Sequence, residues 1–369
     1  MKVLVFSDLH FFHTRSSYLL ETCRWIADEI ERTTPDLVVF GGDANHTHDY
    51  IDIETLEALT RGFSEIISRL PECADFVVIP GNHDQASSDG KQTVLSIFRG
   101  HTRVSVMDTP SCSSCGRFVF APYPPTAPKQ LEDYTSALQV ACLRAREKCS
   151  DLPILISHWE LKDVPYKPGD TPRGTRGRIA EGFKLVVNGH YHHPVYYPSL
   201  NGCPVLLVGS PCYHNYSDSI VEEPRGVLLL ADTEDVGTSR VACPGWWYGR
   251  LENPHGPIYH TVKAEDLPSF GAASATSLSK RLKLRVVVSS VEAYEELRPK
   301  LAALQDAVES LRVSGVPSAT SSSSSMPMAT PGFDVRATVE SYVADYANPC
   351  LPREVLLDLG LKLIEESGA

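Results

Sequence analysis

The sequence predicts an α/β fold centred on a parallel sheet, and three observations predict it. Short apolar runs alternate with segments of helical apolar spacing from Lys2 onward. Single polar residues stand just past the ends of several of those runs. The texture then changes after about residue 235, where the alternation stops.

Lys2 to Ser7 reads as a short buried strand, and Tyr18 to Glu31 as the helix that follows it. Leu37 to Phe40 is a second strand, running into Gly41-Gly42-Asp43. A helix from Ile53 to Leu70 precedes a third strand, Phe76 to Ile79, which ends at Pro80-Gly81-Asn82-His83-Asp84. Strand, helix, strand, helix, strand is the pattern of parallel strands joined by right-handed crossovers. Later strands are predicted at Phe118–Ala121, Ile154–Ser157, Leu185–Asn188, Val205–Gly209 and Gly226–Ala231.

Beyond residue 235, Gly245 to Tyr248 and Pro254 to Pro257 read as irregular packing and turns. Leu282 to Ser289 reads as a strand and Val291 to Leu311 as a helix, which together make a small β/α unit. Ser314 to Gly332 is rich in Ser, Pro and Thr, the composition of a flexible linker. Two amphipathic helices follow, about Asp334 to Tyr346 and Pro352 to Glu366, split by Asn348-Pro349.

The bulk numbers bound the function. The chain of 369 residues has room for a full core and a smaller attached unit. It contains no apolar run long enough for a membrane span, and Met1 leads straight into a strand. Ten cysteines without a regular framework suit a reducing, cytoplasmic setting. A net charge of -12 argues against holding nucleic acid by a broad basic face alone. Bound divalent cations and a basic loop can still supply positive charge locally.

Five blocks carry the chemistry: Asp8-Leu9-His10, Gly42-Asp43, Gly81-Asn82-His83-Asp84, Ser157-His158 and Gly189-His190-Tyr191-His192. Each stands at the end of an apolar strand, the edge where α/β sheets bind ligands. Together they offer three Asp, one Asn amide oxygen and five His, the ligand types that a pair of divalent ions requires. A lone D-x-H is common in loops, and a lone G-N-H-D can be only a turn. It is the five in sequence that point to a metal site.

In that motif order, residues 1–235 resemble the calcineurin-like metallophosphoesterase superfamily. The resemblance implies a two-sheet α/β sandwich flanked by helices, with a small α/β capping domain (236–313), a Ser-rich linker (314–333) and a helical tail (334–369). It implies two ions, Mn2+ or Mg2+. Asp8, His10, Asp43 and His192 would hold one; Asp43 as the bridge, Asn82, His158 and His190 would hold the other. His83 would touch the scissile phosphate and give a proton to the leaving oxygen, with Asp84 orienting it.

Finer features are similar to the DNA-repair nucleases of the SbcD and Mre type and their phage recombination counterparts. These are Asp43-Ala44-Asn45-His46, and Val208-Gly209-Ser210-Pro211-Cys212-Tyr213 followed by Asp218 and Pro224-Arg225-Gly226-Val227. That resemblance implies exonuclease action on duplex DNA ends, endonuclease action on single strands, and His46 beside the substrate phosphate. It also implies an SMC-like ATPase partner bound through the tail helices, and a homodimer. A phosphoprotein phosphatase or a cyclic-nucleotide phosphodiesterase is the competing reading. Phe11-Phe12-His13 departs from the nuclease pattern, and His13 and His48 receive no role. Arg173, Arg176 and Arg178, in a Gly-rich loop with Lys162 and Lys167, are candidate phosphate contacts. Cys112-Ser113-Ser114-Cys115 lacks the two further ligands zinc would need and reads as a turn with two free thiols.

Overall fold

The computed structural model describes residues 1–161, 164, 182–200, 202–216, 218, 224–234, 240–243, 245–267, 281–305 and 308–314. The loop bearing Arg173, Arg176 and Arg178 lies outside the described residues, as do the linker and the tail helices.

The strands in chain order are β1 (Lys2–Phe6), β2 (Leu37–Phe40), β3 (Asp75–Val78), β4 (Val104–Val106), β5 (Ser111–Cys112), β6 (Phe118–Ala121), β7 (Ile154–Ser157) and β8 (Leu185–Asn188). They continue with β9 (Val195–Leu200), β10 (Cys203–Leu207), β11 (Gly226–Ala231), β12 (Arg240–Cys243), β13 (Trp246–Glu252), β14 (Ile258–Lys263), β15 (Leu282–Val287) and β16 (Ser310–Ser314). The helices are α1 (Ser16–Thr33), α2 (Ile53–Ser68), α3 (Pro128–Lys148) and α4 (Val291–Gln305).

These strands make two large sheets, as the superfamily resemblance implies, and not the one parallel sheet that the strand–helix alternation alone favours. The first sheet has the order β12-β13-β11-β1-β2-β3-β4 and the second β5-β6-β7-β8-β10-β9. Each has a parallel block, β1 to β4 in one and β6, β7, β8 and β10 in the other; antiparallel strands continue the first sheet beyond β1 and stand at both edges of the second. Side-chain alternation explains why there are two. Val3 and Val5 of β1 join Phe118, Phe120, Ile154, Ile156, Val187 and Leu206 in one apolar layer between the sheets. Leu4 and Phe6 point the other way, into a layer with α1 and α2. On the far side Val119, Leu155 and Val186 pack under α3. A strand apolar on both faces needs cover on both, which a helix, two sheets and a helix provide.

Local chemistry sets the helix ends. α1 buries Leu19, Cys23, Ile26 and Ile30 at helical spacing and stops at Thr34, whose left-handed backbone sends its N–H to the Ile30 carbonyl. At the start of α2, the Asp52 side chain accepts from the Thr55 amide at 2.8 Å. α3 was not anticipated, although Tyr134, Leu138, Ala141 and Ala145 are its buried stripe.

Three expectations about the C-terminal part are corrected. Trp246 to Glu252 is a strand paired with β11 and not irregular packing, so the first sheet extends past residue 235. The separate three-stranded parallel sheet, β14-β15-β16, begins only at Ile258. The helix beginning at Val291 ends at Gln305, because Leu311 belongs to β16, which pairs with β15. Cys112 ends β5 and Cys115 lies in the turn that leads to β6, and neither is in a disulfide. No helix among the described residues is long and apolar enough to cross a membrane.

Register is what prepares the site. Phe6, Phe40 and Val78 are paired neighbours at the ends of β1, β2 and β3. Ala121, Ser157, Asn188 and Leu207 are paired likewise at the ends of β6, β7, β8 and β10. The loops of both sheets therefore leave at one level. Phe63 of α2 anchors the helix layer, stacking on Phe98 at 5.0 Å and meeting Phe40 edge-on at 5.1 Å while fully buried. Phe63→Ala is expected to destabilise the chain by about 3–5 kcal/mol, measured as a lower urea midpoint.

Candidate functional site

The loops after β1, β2, β3, β7 and β8 bring the five sequence blocks to one place. The first two loops are laced together: the Asp8 amide donates to Gly42 O at 2.8 Å, His10 to Asp43 O at 3.0 Å and Phe11 to Ala44 O at 2.7 Å. Asp8, His10, Asp43 and His190 hold left-handed backbone, with φ of 59°, 51°, 59° and 72°. Such angles cost a non-glycine residue about 1–3 kcal/mol and persist where the surroundings over-determine them. The backbone here aims side chains at a shared point at the expense of local comfort. Gly42 (φ 100°) and Gly81 let the turns approach, and a Cβ on Gly81 would collide with the Asp43 carboxylate.

Three groups of ligand atoms lie within 4.8 Å of one another: Asp8, His10 and His192; His10, Asp43 and His83; and Asp43, His158 and His190. Asp43 is common to two of them. Its Oδ2 stands 3.6 Å from His10 Nε2 on one side and 3.3 Å from His158 Nε2 on the other. The Asn82 amide oxygen closes the group of Asp43, His158 and His190, 3.2 Å from His158 Nε2 and 2.9 Å from His190 Nδ1.

The donor set fits cations. His10 Nε2 and His192 Nε2 face each other at 2.9 Å. Asp8 Oδ1 is buried and accepts no hydrogen bond. Carboxylate oxygen, amide oxygen and imidazole nitrogen converging without protons enough to pair them suit two divalent ions.

The sequence assigned Asp84 to orient His83, and the structure corrects this. Asp84 Oδ2 accepts from the amides of Asp43 (2.8 Å) and Gly81 (2.9 Å), and Oδ1 from Ala44 (2.8 Å) and Asn45 (3.1 Å). With its oxygens committed to four amides, the carboxylate clips two loops together. His83 is oriented instead by the His46 carbonyl, 2.6 Å from its Nδ1. The His83 amide donates to Asp43 Oδ1 at 2.9 Å.

His46 is half-buried, its ring 5.5 Å from that of His10 and stacked 6.1 Å from that of His83. His48 stacks on His83 at 3.8 Å and faces the Asn82 carbonyl. His13 lies elsewhere, 3.8 Å from Asp52 at the start of α2.

Sequence reasoning missed His214 and the role of Asp218. His214 is buried with Nε2 2.9 Å from the Asp8 carbonyl and 2.7 Å from Ser210 Oγ, and its ring meets those of His10 and His192 edge-on. Asp218 Oδ1 stands 3.5 Å from His192 Nδ1 while Oδ2 accepts from the His214 amide. Carboxylate partners of this kind fix a ligand histidine's orientation and tautomer. His214 follows an apolar strand end, as the other site residues do, but belongs to no motif.

The charges are strongly perturbed. Burial lowers His190 to about 3 and takes His10 well below the usual imidazole range. Burial also opposes charge on His158, yet the adjoining Asp43 carboxylate outweighs it and raises this imidazole to about 9. His192 is raised likewise, against its burial, by Asp218. Burial and the Asp43 charge push the Asp84 carboxyl up to about 7, against the pull of its amide donors.

The sequence profile described as Calcineurin-like phosphoesterase matches residues 1–194. The chain belongs to that family. It is thus a phosphoesterase, a hydrolase acting on phosphate esters, of a metal-dependent kind whose candidate ligands stand together here. A viral relative is "Putative phosphoesterase 078R" of Invertebrate iridescent virus 3, 24% identical over 303 residues, covering 76% of this chain and 81% of that protein. Among solved structures, a dimetal phosphatase from Danio rerio aligns with a TM-score of 0.37 and 12% identity, over 57% of this chain and 87% of that one.

Two outcomes follow from this phosphoesterase site. Because His158 is protonated below about 9 without metal and must be neutral to coordinate, metal binding at neutral pH should release protons. Affinity should therefore rise with pH up to about 9; calorimetry in buffers of different ionisation enthalpy measures the release, and a pH-independent affinity contradicts it. Asp84→Asn puts an amide NH2 where one carboxylate oxygen met two amide donors. It should cost about 1–3 kcal/mol for each donor left unsatisfied, read by urea denaturation, and should abolish activity as the clip opens.

Proposed function

We propose that the chain is a two-metal DNA nuclease, cutting duplex ends as an exonuclease and single strands as an endonuclease. Asp8, His10, Asp43 and His192 hold one divalent cation, and Asp43, Asn82, His158 and His190 the other; Mn2+ and Mg2+ both suit these ligands. Bound there, such cations supply positive charge for the phosphate and a water acidic enough to attack near neutral pH.

The chain's own groups do the rest. The His46 carbonyl accepts the His83 Nδ1 proton, which leaves Nε2 to meet the leaving oxygen. Proton donation from Nε2 requires the imidazolium. Burial opposes that form, while the Asp43 carboxylate and the His46 carbonyl favour it. Asp43 holds the His83 amide as well, so the proton donor and the shared ligand move as one unit.

The observation that carries the nuclease reading is the position of His46. The histidine three residues after Asp43 stands beside both His10 and His83, where a substrate phosphate would pass. The three-stranded sheet that follows the catalytic sheets gives further support, as do Arg173, Arg176 and Arg178 and the Ser-rich stretch and apolar pattern of the C-terminal sequence, since a small soluble phosphoester requires none of them. In this reading the tail helices bind an SMC-like ATPase, and the nuclease works as a dimer.

Purified protein with Mn2+ is to be offered end-labelled duplex DNA, a phosphopeptide and a cyclic nucleotide, with and without the candidate ATPase. Degradation of the DNA is expected, falling at least about 100-fold in His83→Ala. Turnover of the phosphopeptide or the cyclic nucleotide alone would replace the nuclease reading by the corresponding one.

A further inference from the structure

Beside the ligand groups stands a cation with nothing to balance it. Arg15, the residue preceding α1, is half-buried, and its Nη1 has no hydrogen-bond partner. No carboxylate among the described residues pairs with it. Tyr18 Oη, one helical turn on, and His46 Nδ1 are likewise buried without a partner. The first turn of α1 carries no acidic residue and no side-chain cap. A half-buried guanidinium left unpaired is costly, unless the partner arrives with the substrate.

The chain around Arg15 places it at the His10 side of the site: the Arg15 amide donates to the Phe12 carbonyl at 2.8 Å, and the Phe12 ring stands 5.4 Å from that of His46. Its charge reaches Tyr18, His46 and His214. At His46 it is second only to burial in holding the imidazole down to about 4. His46 and His214 in turn flank His10, with ring centroids 5.5 Å and 5.1 Å from it. A guanidinium near an imidazole offers protons to an acceptor and repels a further metal ion. Oxygen-rich anions answer both conditions, and among them the one that accompanies a scissile phosphodiester is the next phosphate of the same strand.

We propose that Arg15 and His46 form a second phosphate subsite, which takes the phosphate flanking the scissile one. The proposal rests on the reading of this site as a nuclease. The subsite would make the enzyme prefer a phosphodiester with a phosphorylated neighbour over an isolated ester. It gives His46 a task distinct from that of His83, and uses the half-buried guanidinium that the ligand groups leave aside.

The test compares three thymidine dinucleotides in Mn2+: TpT, which has only the scissile phosphate, and the same molecule bearing a 5′- or a 3′-terminal phosphate. The wild-type protein should cleave one phosphorylated form with a kcat/KM about tenfold or more above that of TpT. Arg15→Ala should erase that ratio, and Arg15→Lys should keep part of it. A wild-type protein without preference, or a preference that survives Arg15→Ala, overturns the subsite. If no dinucleotide is cleaved, the nuclease reading fails and a second measurement still decides. Inorganic phosphate added to the protein in EDTA should raise the Tm of the wild-type chain and not of Arg15→Ala. An equal shift in both, or none in either, overturns the proposal.

Discussion

The site depends on one buried carboxylate that holds no metal in this reading. Asp84 accepts four backbone N–H bonds and so joins the turn at Gly81 to the turn at Asp43–Asn45. Those turns follow β2 and β3, and between them they present Asp43, His46, Asn82 and His83. A carboxylate can serve two loops because each oxygen accepts more than one bond. Remove the clip, and the shared ligand and the proton donor lose their common reference.

Around that clip the sandwich does the positioning. Each sheet has its parallel block, and pairing register brings the strand ends of each block level with one another. Asp8, Asp43 and Asn82 come from the first sheet, and His158 and His190 from the second. Neither sheet alone holds a complete ligand set. The apolar layer between the sheets is thereby tied to function, because it sets the spacing across which Asp43 meets His158 at 3.3 Å.

Charge balance in the site follows from burial. Buried imidazoles such as His10 and His190 resist protonation and are ready to bind a cation. His158 is held charged by Asp43, and Asp218 favours charge on His192 against its burial. Proton release on loading is the thermodynamic consequence of exchanging one kind of cation for another. Arg15 is the exception, a cation with no carboxylate partner among the described residues.

By itself the sequence determined the ligand types and their places at strand ends. Apolar runs mark buried strands, and five polar blocks in order just past their ends point to one site where a single block would read as a turn. For that reason Asp8, Asp43, Asn82, His158 and His190 were legible as a set. Tertiary structure decided what local pattern cannot carry. Splitting the strands into two mixed sheets depends on which faces must be covered together, a matter of long-range packing; β13, rich in Trp and Tyr, looked irregular until its pairing with β11 was seen. Asp84 sits in a motif beside His83, and the superfamily resemblance implied that it orients that imidazole, whereas its partners are amides about 40 residues away as well as its own turn. His214 and Arg15 lie outside every motif. They enter the site only because the fold brings the start of α1 and the loop after β10 to the same side of His10, and no spacing along the chain encodes that meeting.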